Sequence, residues 1–288
     1  MVDADLLCRA RGGDGAAFRA LTEPYRRELH VHCYRMLGSF HDAEDVLQDS
    51  LLAAWRGLGG FEERASLRTW LYRITTNRCL NARRATARRP SAPWDVPGVE
   101  PPAPTRRGEV GWLEPFPDAL LPGVPPTPEA RYEQRESVSL AFVTALQLLP
   151  PRQLAVLVLR DVLGFPAADV ADLIGSSVDS VKGALARART TLRRRSPDPA
   201  PGPGSATEAA TVERFVRAWE SADVDALVTL LTDDVVASMP PMPFEYAGRD
   251  AVAAFCAALF GAGRRFDLVA TRANGQPAFG AYLRTGDR

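Results

Sequence analysis

The chain contains 288 residues, and its 35 lysines and arginines balance 35 aspartates and glutamates. This zero net charge argues against a uniformly basic nucleic-acid-binding protein, although separate segments can still carry opposite charges. Four scattered cysteines without a C-x-x-C pair indicate neither a disulfide framework nor a zinc site. The N-terminus lacks a signal peptide and no apolar run reaches about 18 residues. We therefore predict a cytoplasmic protein without a membrane segment.

Proline clusters divide the chain, because proline neither continues a helix nor donates to a sheet ladder. Twelve of the 24 prolines lie between Pro90 and Pro128, and four more lie in residues 196–204. The predicted segments are 1–89, a proline-rich linker at 90–128, 129–195, a second linker at 196–205, and 206–288.

The first segment is predicted to be helical, because its apolar residues recur every three or four positions. One such stripe consists of Phe18, Leu21, Tyr25, Leu29, Cys33, Met36 and Leu37. A second runs from Ala43 to Trp55, and its opposite face carries Asp42, Asp45, Gln48 and Asp49. A third helix is predicted to begin after Ser66 as N-cap. It continues through residues 64–89, which hold eight arginines and no acidic residue.

The segment 129–195 is predicted to form four short helices, separated by Pro150-Pro151, Gly164-Phe165-Pro166 and Gly175-Ser176-Ser177. The last two helices, 167–174 and 178–192, have a helix-turn-helix layout. Apolar spacing directs Val178, Val181, Leu185, Ala188 and Leu192 toward the core. The outward residues are Ser177, Asp179, Ser180, Lys182, Gly183 and Arg187. An outward set of this kind suits a helix that reads the major groove.

The third segment has a mixed pattern, which predicts an α+β domain. Amphipathic helices are predicted around 212–219, 227–231 and 252–260. Strands are predicted at 234–239, 266–273 and 278–283. The fold class is therefore multidomain, with two all-α modules followed by an α+β domain.

Two cationic stretches, 64–89 and 176–195, can contact nucleic acid. The first spans about 39 Å if it is wholly helical, and its charges can neutralise several phosphates. Two separated DNA contacts are thereby implied, although a solvated arginine-rich surface remains an alternative. His30, His32 and Cys33 do not share one helix face, so we predict no metal site. No cofactor is predicted.

Two stretches resemble regions 2.2 to 2.4 of sigma-70 family factors of the extracytoplasmic-function type. They are Asp42-Ala43-Glu44-Asp45-Val46-Leu47-Gln48-Asp49 and Ser66-Leu67-Arg68-Thr69-Trp70-Leu71-Tyr72-Arg73-Ile74-Thr75-Thr76-Asn77-Arg78. Leu149-Pro150-Pro151-Arg152-Gln153 and Gly175-Ser176-Ser177-Val178-Asp179-Ser180-Val181-Lys182 resemble region 4. The resemblance covers about residues 1–195 and implies a non-enzymatic factor that directs RNA polymerase to promoter DNA.

The resemblance implies roles for residues of the first segment. Asp42, Asp45, Gln48 and Asp49 match the face that docks on the β′ coiled coil of RNA polymerase core. Asn77 matches the residue that reads a flipped base of the minus-ten element. Arg68, Arg73 and Arg78 are expected near the strand, and Phe61 in a base pocket formed by the loop 57–65, since unpaired bases need such a pocket. Trp70 is interpreted as core.

For the second segment the resemblance implies binding to the minus-thirty-five element and to the β flap of the polymerase. The expected DNA-binding residues are Ser176, Ser177, Asp179, Ser180, Lys182, Gly183, Arg187 and Arg189. Arg189 and the arginines at 193–195 are expected to grip phosphates, which positions the helix without reading sequence. Gly183-Ala184 stands where family members often carry Ser-Arg, which removes one contact.

The rest of the chain resembles sigma factors with a C-terminal extension. Residues 211–288 look like a SnoaL-like domain, a cone-shaped α+β fold in which a ligand pocket is expected. The chain stops after the strand predicted at 278–283, so either an incomplete sheet or a truncated chain is expected. The linker residues Trp112, Leu113, Glu114, Pro115 and Phe116 match a regulatory motif of such factors, and we predict that they dock on the folded modules.

Two alternatives stay open from the sequence. A small-molecule enzyme of isomerase or cyclase type could be tethered to a DNA-binding anchor; its acid or base would come from Asp233, Asp234, Glu245, Tyr246, Asp250 or Asp267. Fold alone does not decide between catalysis and binding, and we predict no catalytic residue. A conventional repressor is disfavoured, because it leaves the acidic face at 42–49 without a purpose.

Overall fold

The computed structural model describes residues 4–86, 94, 96–107, 113–123, 136–193, 205–239, 242 and 244–284. The chain forms two compact units. Residues 1–89 and 114–197 belong to the first, which we call the helical unit, and residues 90–113 and 198–288 belong to the second, the α+β unit. The proline-rich linker predicted at 90–128 is therefore divided between the two units.

The first half of the helical unit consists of α1 (Ala4–Arg11), α2 (Gly15–Leu37), α3 (Phe40–Gly57) and α4 (Leu67–Thr86). Side chains satisfy the free backbone N–H groups at several helix starts. Asp14 accepts from the first turn of α2, and Ser39 accepts from Asp42 N at 3.1 Å. Ser66 Oγ accepts from Thr69 N at 3.0 Å, which confirms the predicted N-cap of α4.

The predicted apolar stripes form the core of these helices. Tyr34, Met36 and Leu29 of α2 are completely buried, and Leu47 of α3 and Leu71 of α4 are 2% exposed. Burial of such side chains contributes about 1.5 to 3 kcal/mol each. The α2 helix ends at Gly38, whose left-handed φ of 74° lets its N–H reach Tyr34 O.

The second half of the helical unit contains α5 (Leu140–Gln147), α6 (Pro151–Leu157), α7 (Ala167–Ile174) and α8 (Val178–Arg193). One turn of π-helix, Val158–Val162, follows α6. The turn between α7 and α8 depends on Gly175, whose φ of 63° is one that glycine adopts without strain. The helix-turn-helix layout is thereby confirmed, with Val181, Leu185 and Ala188 buried.

The α+β unit contains three helices and five strands within its described residues. The helices are α9 (Ala206–Glu220), α10 (Val224–Val228) and α11 (Arg249–Gly261), and the strands are β1 (Arg106–Arg107), β2 (Val236–Ser238), β3 (Phe244–Ala247), β4 (Phe266–Ala273) and β5 (Gln276–Leu283). One antiparallel sheet has the order β1-β3-β2, and β4 pairs with β5 in another. The strands predicted at 234–239, 266–273 and 278–283 are confirmed, whereas β1 and β3 were not predicted.

The core of the α+β unit includes a residue from the linker. Tyr246, Phe255 and Phe260 are buried together, and Val99 joins them at 3% exposure. Trp94 packs against Phe255 with ring centroids 6.2 Å apart. Residues 94–107 are therefore a structural part of this unit. In the described parts of the chain, no helix is long and apolar enough to cross a membrane.

Candidate nucleic-acid interface

The acidic face of α3 lies in solvent. Asp45, Gln48 and Asp49 are exposed, and Asp42 in the first turn is half-buried. On the opposite side Ala43 and Leu47 are buried at 0% and 2% exposure. Asp45, Gln48 and Asp49 therefore lie on the solvent side of α3, opposite its buried face.

The arginines of α4 do not form one uniform cationic face. Arg73 and Arg78 are exposed, as expected for contacts with a nucleic-acid strand. Arg68 instead forms an ion pair with Glu28 at 3.0 Å, and its guanidinium lies 4.9 Å from the ring centroid of Tyr72. Hydrogen bonds from Arg68 to Glu28 raise the pKa of Arg68 against the opposing effect of its burial. Arg68 is thus occupied within the helical unit.

Arg83 is also turned inward, so not every arginine of the stretch 64–89 is available to neutralise a phosphate. It donates to Met36 O at 2.8 Å, to the Gln147 side chain, and to the carbonyls of Gln147 and Leu149 at 3.2 and 3.3 Å. Burial lowers the pKa of its guanidinium. Arg83 therefore holds α4 to the end of α5.

Phe61 is placed in the core rather than in an open base pocket. Its side chain is 4% exposed, and its ring lies 5.1 Å from that of Trp70. The carbonyl of Phe61 accepts a hydrogen bond from Arg11. Phe61 is thus buried against Trp70, and a base pocket in the loop 57–65 stays a prediction. Trp70 packs as interpreted, although it is only half-buried.

The Asn77 side chain is exposed but already hydrogen-bonded. Its Nδ2 donates to Arg73 O at 2.9 Å and to Leu173 O of α7 at 3.4 Å. The amide group expected to read a base therefore contacts the helix-turn-helix module.

A buried polar cluster lies behind α4. His32 is 0% exposed, and its Nε2 is 2.9 Å from Thr76 Oγ1. Burial lowers the pKa of His32 to about 3, helped by the nearby charges of Arg35 and Arg68. Burial likewise lowers the pKa of Arg35 to about 10. His32 is thus a neutral core residue.

The outward face of α8 is open to solvent. Ser177, Asp179, Ser180, Lys182 and Arg187 are exposed, whereas Ser176 and Gly183 are half-buried. Arg189 departs from the expectation that it grips phosphate: both of its terminal contacts go to Asp161, at 2.7 Å each. The hydrogen bonds to Asp161 raise the pKa of Arg189.

The linker motif packs into the helical unit. Phe116 is 0% exposed, and its ring lies 5.0 Å from those of His30 and Tyr34. Glu114 Oε2 accepts from Ser39 Oγ at 2.8 Å and from His41 N at 3.1 Å. Burial would raise the pKa of Glu114, but these hydrogen bonds hold it below its ordinary value. Trp112 lies outside the described residues.

Four of the six acid and base candidates of the α+β unit make contacts within it, and Asp250 lines a recess. Asp233 pairs with Arg249, Glu245 with Arg106, and Asp267 with Arg284. Tyr246 is 1% exposed and donates to Pro102 O at 3.1 Å. A recess of about 460 Å³ lies at the start of α11, lined by residues 233 and 247–251. Within the described ranges, no group of three or more His, Cys, Asp or Glu side chains could hold a metal ion.

Comparison with protein families matches each module in turn. Residues 21–89 match sigma-70 region 2, residues 139–192 match sigma-70 region 4, and residues 212–287 match a SnoaL-like domain. The first two in this order define a transcription initiation factor of the sigma-70 class. The acidic α3 and the arginine-rich α4 fall in region 2, and the helix-turn-helix falls in region 4.

Curated relatives narrow this class. The ECF RNA polymerase sigma factor SigG of Mycobacterium tuberculosis is 44% identical over 302 aligned positions, covering all of this chain and 80% of the relative. SigM of the same organism is 33% identical over 192 positions, covering 67% of this chain and 83% of the relative. The chain therefore belongs to the extracytoplasmic-function sigma factors of the sigma-70 family. Like them it directs RNA polymerase to initiate transcription at specific promoters.

A solved structure shares the fold. The crystal structure of the Mycobacterium tuberculosis extracytoplasmic function sigma factor SigJ matches with a TM-score of 0.58. The match covers 92% of this chain and 84% of that one, at 24% identity. The fold comprising two sigma modules and a small two-sheet α+β region is thereby confirmed.

Proposed function

We propose that this sigma factor divides its contacts among three exposed surfaces. Asp45, Gln48 and Asp49 of α3, with Asp42 beside them, form the surface that docks on the β′ coiled coil. Asn77, Arg73 and Arg78 of α4 contact the minus-ten strand. Support comes from the exposure of these side chains on helices whose opposite faces are buried. Because Arg68 and Phe61 are engaged in packing, we propose that they support this surface from behind.

Region 4 supplies the third surface. Ser177, Ser180, Lys182 and Arg187 project from α8, the helix whose position in the helix-turn-helix suits the major groove. Asp179, Ser176 and Gly183 complete this surface, while contact with the β flap falls to another face of the same module. Direct base contacts from such a helix provide specificity, and arginine contacts to phosphate provide affinity.

We further propose that the α+β unit regulates the factor by holding the linker between regions 2 and 4. The observation that carries this proposal is the insertion of the linker into that unit. β1 pairs with β3, Val99 lies in the core, and Tyr246 donates to Pro102 O. While held, the fourteen residues 94–107 cannot extend, which removes roughly 45 to 50 Å of contour from the linker.

A shortened linker matters because the two promoter elements are far apart. Their positions differ by about 25 base pairs, which is about 85 Å along B-form DNA at 3.4 Å per base pair. Regions 2 and 4 must reach both elements at once, so the length of free linker sets how readily they do so. We propose that the held linker restrains initiation and that its release increases initiation.

We propose that the α+β unit is not an enzyme. Its carboxylates at 233, 245 and 267 are ion-paired and its buried tyrosine is hydrogen-bonded to a linker carbonyl. A small molecule bound by this unit would act as a regulator, and the recess at the start of α11 is open to solvent. The factor is proposed to act in the cytoplasm, where RNA polymerase and the genome are found.

Run-off transcription with purified core polymerase and a library of genomic fragments tests these proposals. The variant Val99→Asp places a charge in the core of the α+β unit and should release the linker. Ala103→Asp is the matched control, because Ala103 is exposed in the same linker. On the fragment that gives the strongest transcript, we expect Val99→Asp to raise the transcript severalfold and Ala103→Asp to leave it unchanged.

Limited proteolysis shows whether 94–107 is released in Val99→Asp. If it is released and the amount of transcript still equals that of the wild type, regulation by linker capture is refuted. The surface assignments are tested separately by core-binding assays. Charge reversal at Asp45 or Asp49 should weaken binding to core, whereas charge reversal at the exposed Glu63 should not.

A further inference from the structure

Region 4 rests directly on α4 of region 2. The anchor is Phe165, in the loop between the π turn and α7, which is 6% exposed. Its ring centroid is 5.3 Å from that of Tyr72, and the Arg68 guanidinium lies 5.2 Å from it. The Arg68 guanidinium therefore stacks over two rings, one from each module, and aromatic and cation–π contacts of this geometry are stabilising.

A second contact lies about one and a half helical turns further along α4. Asn77 donates to the carbonyl of Leu173, the penultimate residue of α7. This carbonyl is at the helix C-terminus, where carbonyls lack partners within the helix and readily accept external donors. The Asn77 side-chain amide thus donates to an acceptor of region 4. The same amide is the group that is proposed to contact a base of the minus-ten strand.

We infer that region 4 is an intramolecular mask over the minus-ten surface of region 2, held at its α7 end by Phe165 and by the Asn77–Leu173 hydrogen bond and at its α5 end by the Arg83 contacts. This inference rests on the proposed role of α4 in minus-ten binding. A strand that reaches Asn77 must displace the Leu173 carbonyl, so α7 has to move away from α4 first. Closed and strand-bound states are therefore mutually exclusive at this helix.

The recognition helix is not covered in the same way. Ser177, Ser180 and Lys182 of α8 stay exposed while α7 is docked. Region 4 can therefore contact duplex DNA in the closed state, whereas region 2 becomes available only after α7 leaves. The masked state thus favours contact with the minus-thirty-five duplex before the minus-ten strand is captured.

Hydrogen–deuterium exchange of the full chain tests the mask. Phe165→Ala removes the anchor while leaving the Arg83 contacts to α5 in place. We expect faster exchange in peptides from 67–84 and 167–174 than in the wild type. The same variant should bind a fluorescein-labelled single strand at least about fivefold more tightly, because apparent affinity rises with the open fraction. The probe is a single strand of about 25 nucleotides. It is taken from the non-template strand of the most active genomic fragment, immediately upstream of the transcript start.

Phe279→Ala is the matched control, since it removes an equally large ring from the α+β unit, and should change neither measurement. Phe165→Leu keeps an apolar anchor and should fall between Phe165→Ala and the wild type. Unchanged exchange in a Phe165→Ala protein of native circular dichroism would overturn the mask. Faster exchange without tighter strand binding would instead contradict the proposed minus-ten role of α4, on which the masking rests.

Discussion

The two cationic helices of this sigma factor, α4 and α8, lie in different surroundings. In α8 and at Ser177 before it, the polar positions 177, 179, 180, 182 and 187 are exposed. Val181, Leu185 and Ala188 are buried in region 4, whereas Val178, which was predicted to face the core, is 36% exposed. In α4 two arginines, Arg68 and Arg83, are drawn into intramolecular contacts, and Asn77 is hydrogen-bonded to region 4. Local charge density therefore does not reveal which cationic helix is ready to bind DNA.

The largest expected effect concerns the buried arginine of α4. Arg83→Met leaves the Gln147 and Leu149 carbonyls without their donor, and we expect a loss of about 2 to 4 kcal/mol in the free energy of unfolding of the helical unit. Arg84→Met removes a neighbouring exposed arginine and should cost less than about 0.5 kcal/mol. Urea unfolding measures both. Similar losses in the two variants would mean that Arg83 does not hold α4 to α5.

The next effect separates the two helices by function. Asn77→Ala should weaken promoter opening by about 1 to 3 kcal/mol while leaving binding to closed duplex nearly unchanged. Lys182→Ala should instead weaken duplex binding and reduce the salt slope by about 1. Permanganate footprinting and duplex gel shifts provide the two readouts. If each variant impaired promoter opening and duplex binding equally, the assignment of the first step to α4 and the second to α8 would be wrong.

A smaller effect concerns Glu114, the linker residue that accepts hydrogen bonds at the start of α3. Glu114→Gln weakens the hydrogen bonds from Ser39 and His41 at the start of α3, so we expect a loss of about 1 kcal/mol at pH 7. Because the folded state lowers the pKa of Glu114, its stabilisation is complete above the ordinary carboxyl pKa. That stabilisation disappears as the pH falls through the lowered value. The difference between the wild type and Glu114→Gln in urea unfolding should therefore shrink at acid pH.

Glu100→Gln is the control for this pH dependence, because Glu100 is an exposed linker carboxylate. It should show no difference from the wild type at either pH. A pH-independent gap for Glu114→Gln would indicate that the carboxylate charge is not what holds the linker to α3.

The smallest effect is expected at Asp161, which holds Arg189 of α8. Asp161→Asn frees this arginine for phosphate, so duplex affinity should rise less than about tenfold, with a salt slope steeper by about 0.9. Asp172→Asn removes an exposed acid from α7 without freeing an arginine, and controls for the change in net charge. Identical slopes for the two variants would show that Arg189 does not reach the DNA when released.

The sequence predicted most helices correctly, because burial of one helix face imposes a periodicity on the apolar residues. It predicted α7 at 167–174 from this periodicity and Ser66 from the residue preference at N-caps. The strands β1 and β3 were missed, since two to four residues among prolines carry no measurable period. Pairing between residues 106 and 245 depends on contacts that no local pattern encodes.

The residue types of the candidate site were predictable from the sequence, but whether each side chain is exposed or engaged in a contact was not. The spacing of Asp45, Gln48 and Asp49 identified a polar face, and the structure leaves it exposed. The inward turn of Arg83 depends on carbonyls at 147 and 149, and the burial of Phe61 depends on Trp70. Each of these placements depends on a partner that lies outside the local sequence pattern. For the same reason, the pairing of Arg189 with Asp161 could not be predicted from local sequence.

The place of β1 within the α+β unit also affects how the protein is made. Arg106 and its partner Glu245 are 139 residues apart in the chain, so the ribosome adds β3 about 7 to 28 s after β1 at ~5 to 20 residues per second. During that interval regions 2 and 4 leave the ribosome with a linker whose β1 has no partner strand. If linker capture restrains initiation, a nascent factor is unrestrained until the α+β unit has been made and folds, so the restraint begins only after regions 2 and 4 are complete.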